Sequence, residues 1–140
     1  MNREGGCACG AIRFTIETAP LGTGACHCTN CQKFSGGGPN YVALLPKGAL
    51  RVACGTPRLF CDRGDSGGEV QRAFCPDCGT PLWSIPEHAP FMTVKVGAFD
   101  ESADLGPGLH VYCVSAPKWH PIPDGATRFE KMPPPDTAPA

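Results

Sequence analysis

Cys7-Ala8-Cys9-Gly10-Ala11-Ile12-Arg13-Phe14-Thr15-Ile16 carries two signals in one short stretch. Its second half alternates, with Ile12, Phe14 and Ile16 on one side and Arg13 and Thr15 on the other, the period of a half-buried strand. Its first half sets two cysteines at i and i+2. In an extended chain these point the same way, roughly 6.6 Å apart at the backbone. From there two side chains can converge to the sulfur separation of ~3.8 Å implied by tetrahedral Zn–S bonds near ~2.3 Å. The stretch thus reads as a β-strand entered through half of a metal site.

The same alternation recurs down the chain. Leu50, Val52 and Cys54 form a second period-2 run, and Tyr41 to Leu45, Arg58 to Cys61, Val70 to Phe74, Leu82 to Ile85, Phe91 to Val96 and Leu109 to Val114 are further short strands. Turn sequences separate them: Pro46-Lys47-Gly48, Cys54-Gly55-Thr56-Pro57, Arg63-Gly64-Asp65-Ser66-Gly67-Gly68 and Gly106-Pro107-Gly108. Short strands at even spacing predict an all-β fold. Helix is confined to a turn or two over Asn30 to Phe34, with Thr29 as cap and Gly36-Gly37-Gly38-Pro39 as stop.

With 140 residues the chain fits one domain. We place it over residues 3–129, followed by a Pro-rich flexible tail over 130–140. The 12 basic and 13 acidic residues nearly balance. That argues against a nucleic-acid partner held by phosphate attraction and against an anionic membrane surface. The chain has 18 Gly and 16 Pro, dispersed between apolar runs, as expected of many tight turns. Met1-Asn2-Arg3-Glu4-Gly5-Gly6-Cys7 has no apolar core of a signal peptide, and no stretch reaches the ~18 apolar residues of a membrane span. The expected compartment is the reducing cytoplasm, where the 10 cysteines would serve as metal ligands or catalytic thiols rather than disulfides.

Seven of them fall into two sets. Cys75-Pro76-Asp77-Cys78-Gly79 is a strand end followed by a Cys-x-x-Cys turn, whose glycine can take positive φ. Joined to Cys7 and Cys9, it completes a four-cysteine shell, the usual closed structural zinc site. A thioredoxin-like redox pair needs a helix directly after its first cysteine, and Gly79-Thr80-Pro81 blocks one. The second set, Cys26-His27-Cys28-Thr29-Asn30-Cys31, offers three thiolates from one loop. Catalytic zinc sites keep three protein ligands and an exchangeable fourth position. A zinc with three thiolates, of formal charge about −1, suits holding a substrate thiolate better than making hydroxide. His110, Cys54, Cys61 and Cys113 are the alternatives that could close the site. His27 should face away from its cysteine neighbours.

Cys54, Cys61 and Cys113 lie in apolar runs and are expected in the core. Trp83 is expected to be a packing residue, and Trp119, beside His120, packs or lines a cleft. Lys33 is expected to be a solvated cation, and His88 and His120 have no partner that the sequence names.

Three linked motifs carry a family resemblance. Gly5-Gly6-Cys7-x-Cys9-Gly10-x-x-Arg13-Phe14, Cys26-His27-Cys28-x-x-Cys31-x-Lys33-x-Ser35-Gly36 and Phe74-Cys75-Pro76-x-Cys78-Gly79-Thr80-Pro81-Leu82 occur in that order, with His110-Val111-Tyr112 and Pro117-Lys118-Trp119 behind them. The chain, up to about Phe129, resembles the glutathione-dependent formaldehyde-activating family, also called the centromere-protein-V domain family. The resemblance implies a beta-tent fold of small coiled antiparallel sheets. It also implies two zinc ions: a structural one on Cys7, Cys9, Cys75 and Cys78, and a catalytic one on Cys26, Cys28 and Cys31. The implied activity is that of a carbon–sulfur lyase, an S-(hydroxymethyl)glutathione synthase joining glutathione to formaldehyde. A non-catalytic zinc module that binds a thiol, a metal or a protein is the alternative.

Overall fold

The computed structural model describes residues 2–64 and 67–133. Among the described residues ten strands and one short α-helix follow one another: β1 (Arg3–Gly6), β2 (Arg13–Ile16), β3 (Gly22–Cys26), α1 (Thr29–Ser35), β4 (Asn40–Pro46), β5 (Leu50–Cys54), β6 (Arg58–Arg63), β7 (Glu69–Phe74), β8 (Pro81–Pro86), β9 (Phe91–Lys95) and β10 (Leu109–Val111). The fold is therefore all-β. The strands make a three-stranded sheet, β1-β2-β5, and a seven-stranded sheet, β10-β3-β4-β9-β8-β7-β6. All pairings are antiparallel but one: β10 runs parallel to β3, with His110 opposite Ala25 and Val111 opposite Cys26. That one parallel pair closes an edge of otherwise antiparallel sheets.

The alternation that predicts the strands also explains how the sheets pack. Ile12, Phe14 and Ile16 of the small sheet are buried in one cluster with Ala43, Leu45, Leu82, Trp83, Met92 and Val94 of the large one. Phe14 sits at its centre, fully buried, edge-on to Trp83 at 5.9 Å and to Phe99 at 5.8 Å between ring centroids. Such pairs add about 0.5–1.5 kcal/mol to the area they bury. On β4 the core takes Ala43 and Leu45, so Val42 and Leu44 must point to the opposite face of the sheet. There they line a cavity rather than a second core.

Two strands show no apolar alternation. Arg3-Glu4-Gly5-Gly6 and Gly22-Thr23-Gly24-Ala25-Cys26 are strands because of where their backbones lie. A Cβ on Gly5 would come within 2.2 Å of the Ala98 carbonyl oxygen and 2.5 Å of Phe14. Only glycine allows β1 to pass so close to the core.

Cys54 and Cys61 are exposed and Cys113 is half-buried, against the expectation of core positions. The reason is sheet order: β5 and β6 are edge strands, and neither carries a packed layer over its full length. Leu59 and Phe60 on β6 share that exposure. Trp83 is a packing residue as expected, whereas Trp119 is 69 % exposed. After β10, Tyr112, Cys113 and Val114 donate backbone N–H groups to the carbonyls of Lys131, Phe129 and Glu130. The rest of the expected tail, 134–140, lies outside the described residues.

Candidate metal centres and the cavities beside them

Cys7 and Cys9 occupy the β1–β2 turn, and Cys75 and Cys78 the β7–β8 turn. The two turns are built alike. In one, Cys7 N–H bonds the Ile12 carbonyl, and Gly10, at φ 80, returns its N–H to Cys7. In the other, Cys75 N–H bonds the Thr80 carbonyl, and Gly79, at φ 78, returns its N–H to Cys75. The positive φ reverses the chain tightly enough for both thiols of each pair to point inward. All four sulfurs lie within 4.8 Å of one another. Cys7 and Cys9 are 3.6 Å apart, and Cys9 and Cys75 3.8 Å, although 66 positions separate the latter pair in sequence.

Backbone and hydroxyl donors prepare this cluster for negative charge. The Ile12 N–H, 3.2 Å from Cys7 Sγ, is the main reason its thiol titrates below the ordinary range. The Thr80 hydroxyl, 3.1 Å from Cys78 Sγ, does most to bring that thiol down to about 5. Cys9, despite the Ala11 N–H, is pushed up to about 12 by the sulfurs of Cys7 and Cys78. Adjacent thiolates repel, so they cannot all ionise unless a cation sits among them. Four thiols at this spacing are the donor set of a closed tetrahedral site, and the residues fit a metal ion.

The second cluster is local. Cys26 ends β3, Cys28 is the N-cap of α1 and Cys31 lies in its first turn. The cap is thus Cys28 and not Thr29: its sulfur accepts the Cys31 N–H at 3.2 Å. The three sulfurs lie within 4.8 Å of one another, and among the described residues no other cysteine, histidine or carboxylate completes the group. Of the alternatives that could have closed the site, His110 Nδ1 is instead 3.0 Å from Nε2 of the fully buried His27. Cys54 and Cys61 lie on edge strands, and Cys113 is not part of the cluster.

Cys31 holds negative charge best. Hydrogen bonds from Cys26 and Cys28 do most to bring it down to about 2, with help from the Arg72 guanidinium and the Asn40 amide. The Asn40 Nδ2 lies 3.7 Å from its sulfur. Cys26 is pushed far up by the neighbouring Cys28 and Cys31 sulfurs and by burial. Cys28 is also raised, because Cys31 and burial outweigh the hydrogen bond from Cys26. One thiolate shared among three thiols, one buried and two half-buried, again marks a set that a cation would complete.

Four further residues shape this centre. Arg72 forms a half-buried ion pair with Asp62 at 2.8 Å and stacks over the Phe34 ring at 4.2 Å. Asn30 Nδ2 donates to the same Asp62 oxygen at 2.6 Å, tying α1 to the sheet. Burial brings Lys95 down to about 8, while Cys31 and Cys26 draw it the other way; its Nζ is buried with no hydrogen-bond partner among the described residues. Asn40, Arg72 and Lys95 were not singled out from the sequence, because β4, β7 and β9 meet at Cys31 only through the sheet order. His120, which the sequence left without a partner, bonds the Tyr41 hydroxyl at 3.0 Å.

Of three cavities in this region, two adjoin the Cys26–Cys31 loop and one lies beside the C-terminal half of α1. The first, about 250 Å³, has Cys26 and Cys31 in its wall and otherwise mainly apolar side chains, among them Val42, Leu44, Phe91 and Val111. A second of about 590 Å³ is lined by aromatic rings with Lys33, Arg72 and Lys95. The third, about 690 Å³, has Cys28 in its wall and a mixed lining that brings in polar groups from Asn30, Asp62, Arg63 and Ser115. Tyr112, at φ 54 the one non-glycine residue with positive φ among those described, lies on its rim.

A mainly β protein with one four-thiol and one three-thiol cluster, each able to hold a metal ion, is the class these features define. Residues 2–115 match the family model described as glutathione-dependent formaldehyde-activating enzyme, and the chain belongs to that family. A Halomonas elongata protein named "Putative glutathione-dependent formaldehyde-activating enzyme" is 27% identical over 83% of this chain and 78% of its own length. Proteins of the same name from Emericella nidulans and Penicillium rubens are each 30% identical, over 55% and 61% of this chain. The aligned regions span only 38% and 44% of those fungal proteins. The crystal structure of a Rhodobacter sphaeroides protein has the same fold, with a TM-score of 0.58 at 23% identity, covering 74% of this chain and 94% of the other.

Proposed function

We propose that this protein is a zinc-dependent enzyme of the carbon–sulfur lyase type, joining a thiol such as glutathione to a small aldehyde at Cys26, Cys28 and Cys31. The observation that carries the reading is the three-thiol cluster without a fourth protein ligand among the described residues, set between cavities. A non-catalytic module would more naturally have a closed site with no adjoining cleft. Cys7, Cys9, Cys75 and Cys78 would hold a second, structural zinc.

Zinc on three thiolates would lower the pKa of an incoming thiol and hold its sulfur as the nucleophile. The chain's residues do the rest. Asn40 and Arg72 stabilise negative charge at Cys31. The cleft beside Cys28 offers Arg63, Asn30 and Ser115 to the carboxylates and amides of a peptide thiol. The thiol sulfur attacks the carbonyl carbon, the C=O electrons move to oxygen, and the thiol proton ends there. We place this activity in the cytoplasm; among the described residues no helix is long and apolar enough to cross a membrane.

Cobalt(II) substitution makes the reading testable. Glutathione should change the ligand-field spectrum of the doubly loaded protein, and Cys28→Ser should abolish that change while removing one metal equivalent. An unchanged spectrum, together with unaltered turnover in Cys28→Ser, would sink it.

A further inference from the structure

The three-thiol cluster faces two unlike spaces. Cys28 lies on the more polar cleft, whereas Cys26 and Cys31 lie on the apolar cavity formed on the face of the large sheet away from the core. Formaldehyde needs almost none of that cavity. Glutathione, with two carboxylates and an ammonium, is ill matched to it: each charged group would lose its water at a cost of several kcal/mol. The cavity's guanidinium, Arg72, is already engaged by Asp62. A largely apolar space bounded by Val42, Leu44, Phe91 and Val111 and ending at two sulfurs fits an apolar substituent on the carbonyl partner.

We infer that the aldehyde this chain handles carries an apolar chain of about six to eight carbons, since an apolar cavity of about 150 Å³ already holds benzene and this one is about 250 Å³. The inference rests on the proposed thiol–aldehyde chemistry and gives its substrate class. The reaction balances without an oxidant or reductant. A thiol and an aldehyde give a hemithioacetal; one C–S bond forms, the C=O bond becomes a C–O–H, and the thiol proton is retained on oxygen. The thiol body lies in the more polar cleft and the alkyl chain in the cavity.

The test compares formaldehyde, butanal, hexanal and octanal with glutathione on the zinc-loaded protein, following adduct formation above the uncatalysed rate. Each buried methylene should raise kcat/KM by about fourfold, until the cavity is full. Leu44→Trp, which fills the cavity, should lower the hexanal-to-formaldehyde ratio by at least tenfold. Because that variant could fold poorly, 1-hexanol is titrated into the wild-type protein in parallel; it should shift the methyl NMR signals of Val42, Leu44 and Val111. Turnover with a flat chain-length profile, or hexanol leaving those methyls unmoved, overturns the inference but leaves the thiol–aldehyde reading intact. No turnover with any aldehyde overturns both.

Discussion

The two thiol clusters use the same ligand chemistry in opposite architectural settings. The four-cysteine cluster is formed by two turns, one from each sheet, and spans 66 positions between Cys9 and Cys75. The three-cysteine cluster is formed by six consecutive residues at one strand–helix junction. In a chain-entropy estimate, cross-linking a loop of that longer size stabilises by about 4 kcal/mol, against about 2 kcal/mol for a six-residue loop. A ligand set that ties distant elements together is tied to folding. One that ties a loop to itself can exchange its fourth position without unfolding the protein.

Cys75→Ser should therefore have the largest effect of any single change. Structural zinc supplies about 10–16 kcal/mol in small domains, as much as or more than the whole stability of a typical domain. We expect loss of the cooperative thermal transition and of the near-ultraviolet circular dichroism signal. Cys28→Ser should behave differently. Serine is itself a preferred N-cap, so α1 keeps its cap, and loss of the local cross-link should cost about 2 kcal/mol. The zinc-loaded protein should hold one metal equivalent fewer. Equal destabilisation by the two substitutions would erase the distinction between the clusters.

Arg72→Met strikes the local cluster through its support. It leaves the half-buried Asp62 beside only Asn30 and the Arg63 N–H, and removal of one partner from a part-buried pair should cost about 1–2 kcal/mol, between the exposed and fully buried cases. Urea unfolding should register that loss. The double variant with Asp62→Leu should recover part of it, because the stranded charge is then gone.

Much of this comparison is legible in the chain itself, and the exceptions have physical causes. Both clusters follow from cysteine spacing, and most strands follow from period-2 alternation. β1 and β3 carry no such signal, because Gly5, Gly6, Gly22 and Gly24 leave no apolar face to read. Cys54 and Cys61 were misplaced because alternation tells which side a residue takes, but not whether another layer covers that side. Arg72, Asn40 and Lys95 stayed hidden for a third reason: no local pattern marks a residue whose neighbours arrive from other strands.

Lys95 is the next test of how the local cluster is balanced. Burial is the main cause that lowers its ammonium to about 8 from an ordinary 10.5. The unfolded chain thus holds more protons than the folded one between about pH 8 and 10.5, and stability should rise with pH across that window. Below pH 8 both states are protonated and the full penalty applies, about 3 kcal/mol. Lys95→Met should flatten the rise and raise stability at pH 7, measured by urea unfolding at a series of pH values. A rise of the same slope in the variant would assign it to other groups.

Asn40→Ala should be the smallest of these effects and the most specific. Its amide reaches Cys31 Sγ at 3.7 Å, a long and weak hydrogen bond to sulfur. Loss of such a donor costs about 1 kcal/mol, equivalent to about a fivefold weaker grip on metal at the three-cysteine site. The four-cysteine site lies on other turns and should be untouched. Competitive chelation of zinc-loaded protein should resolve the two sites as separate steps, with only the three-cysteine step shifted in the variant. If both steps moved together, the clusters would be coupled through the sheet, and their division into one structural and one exchangeable centre would fail.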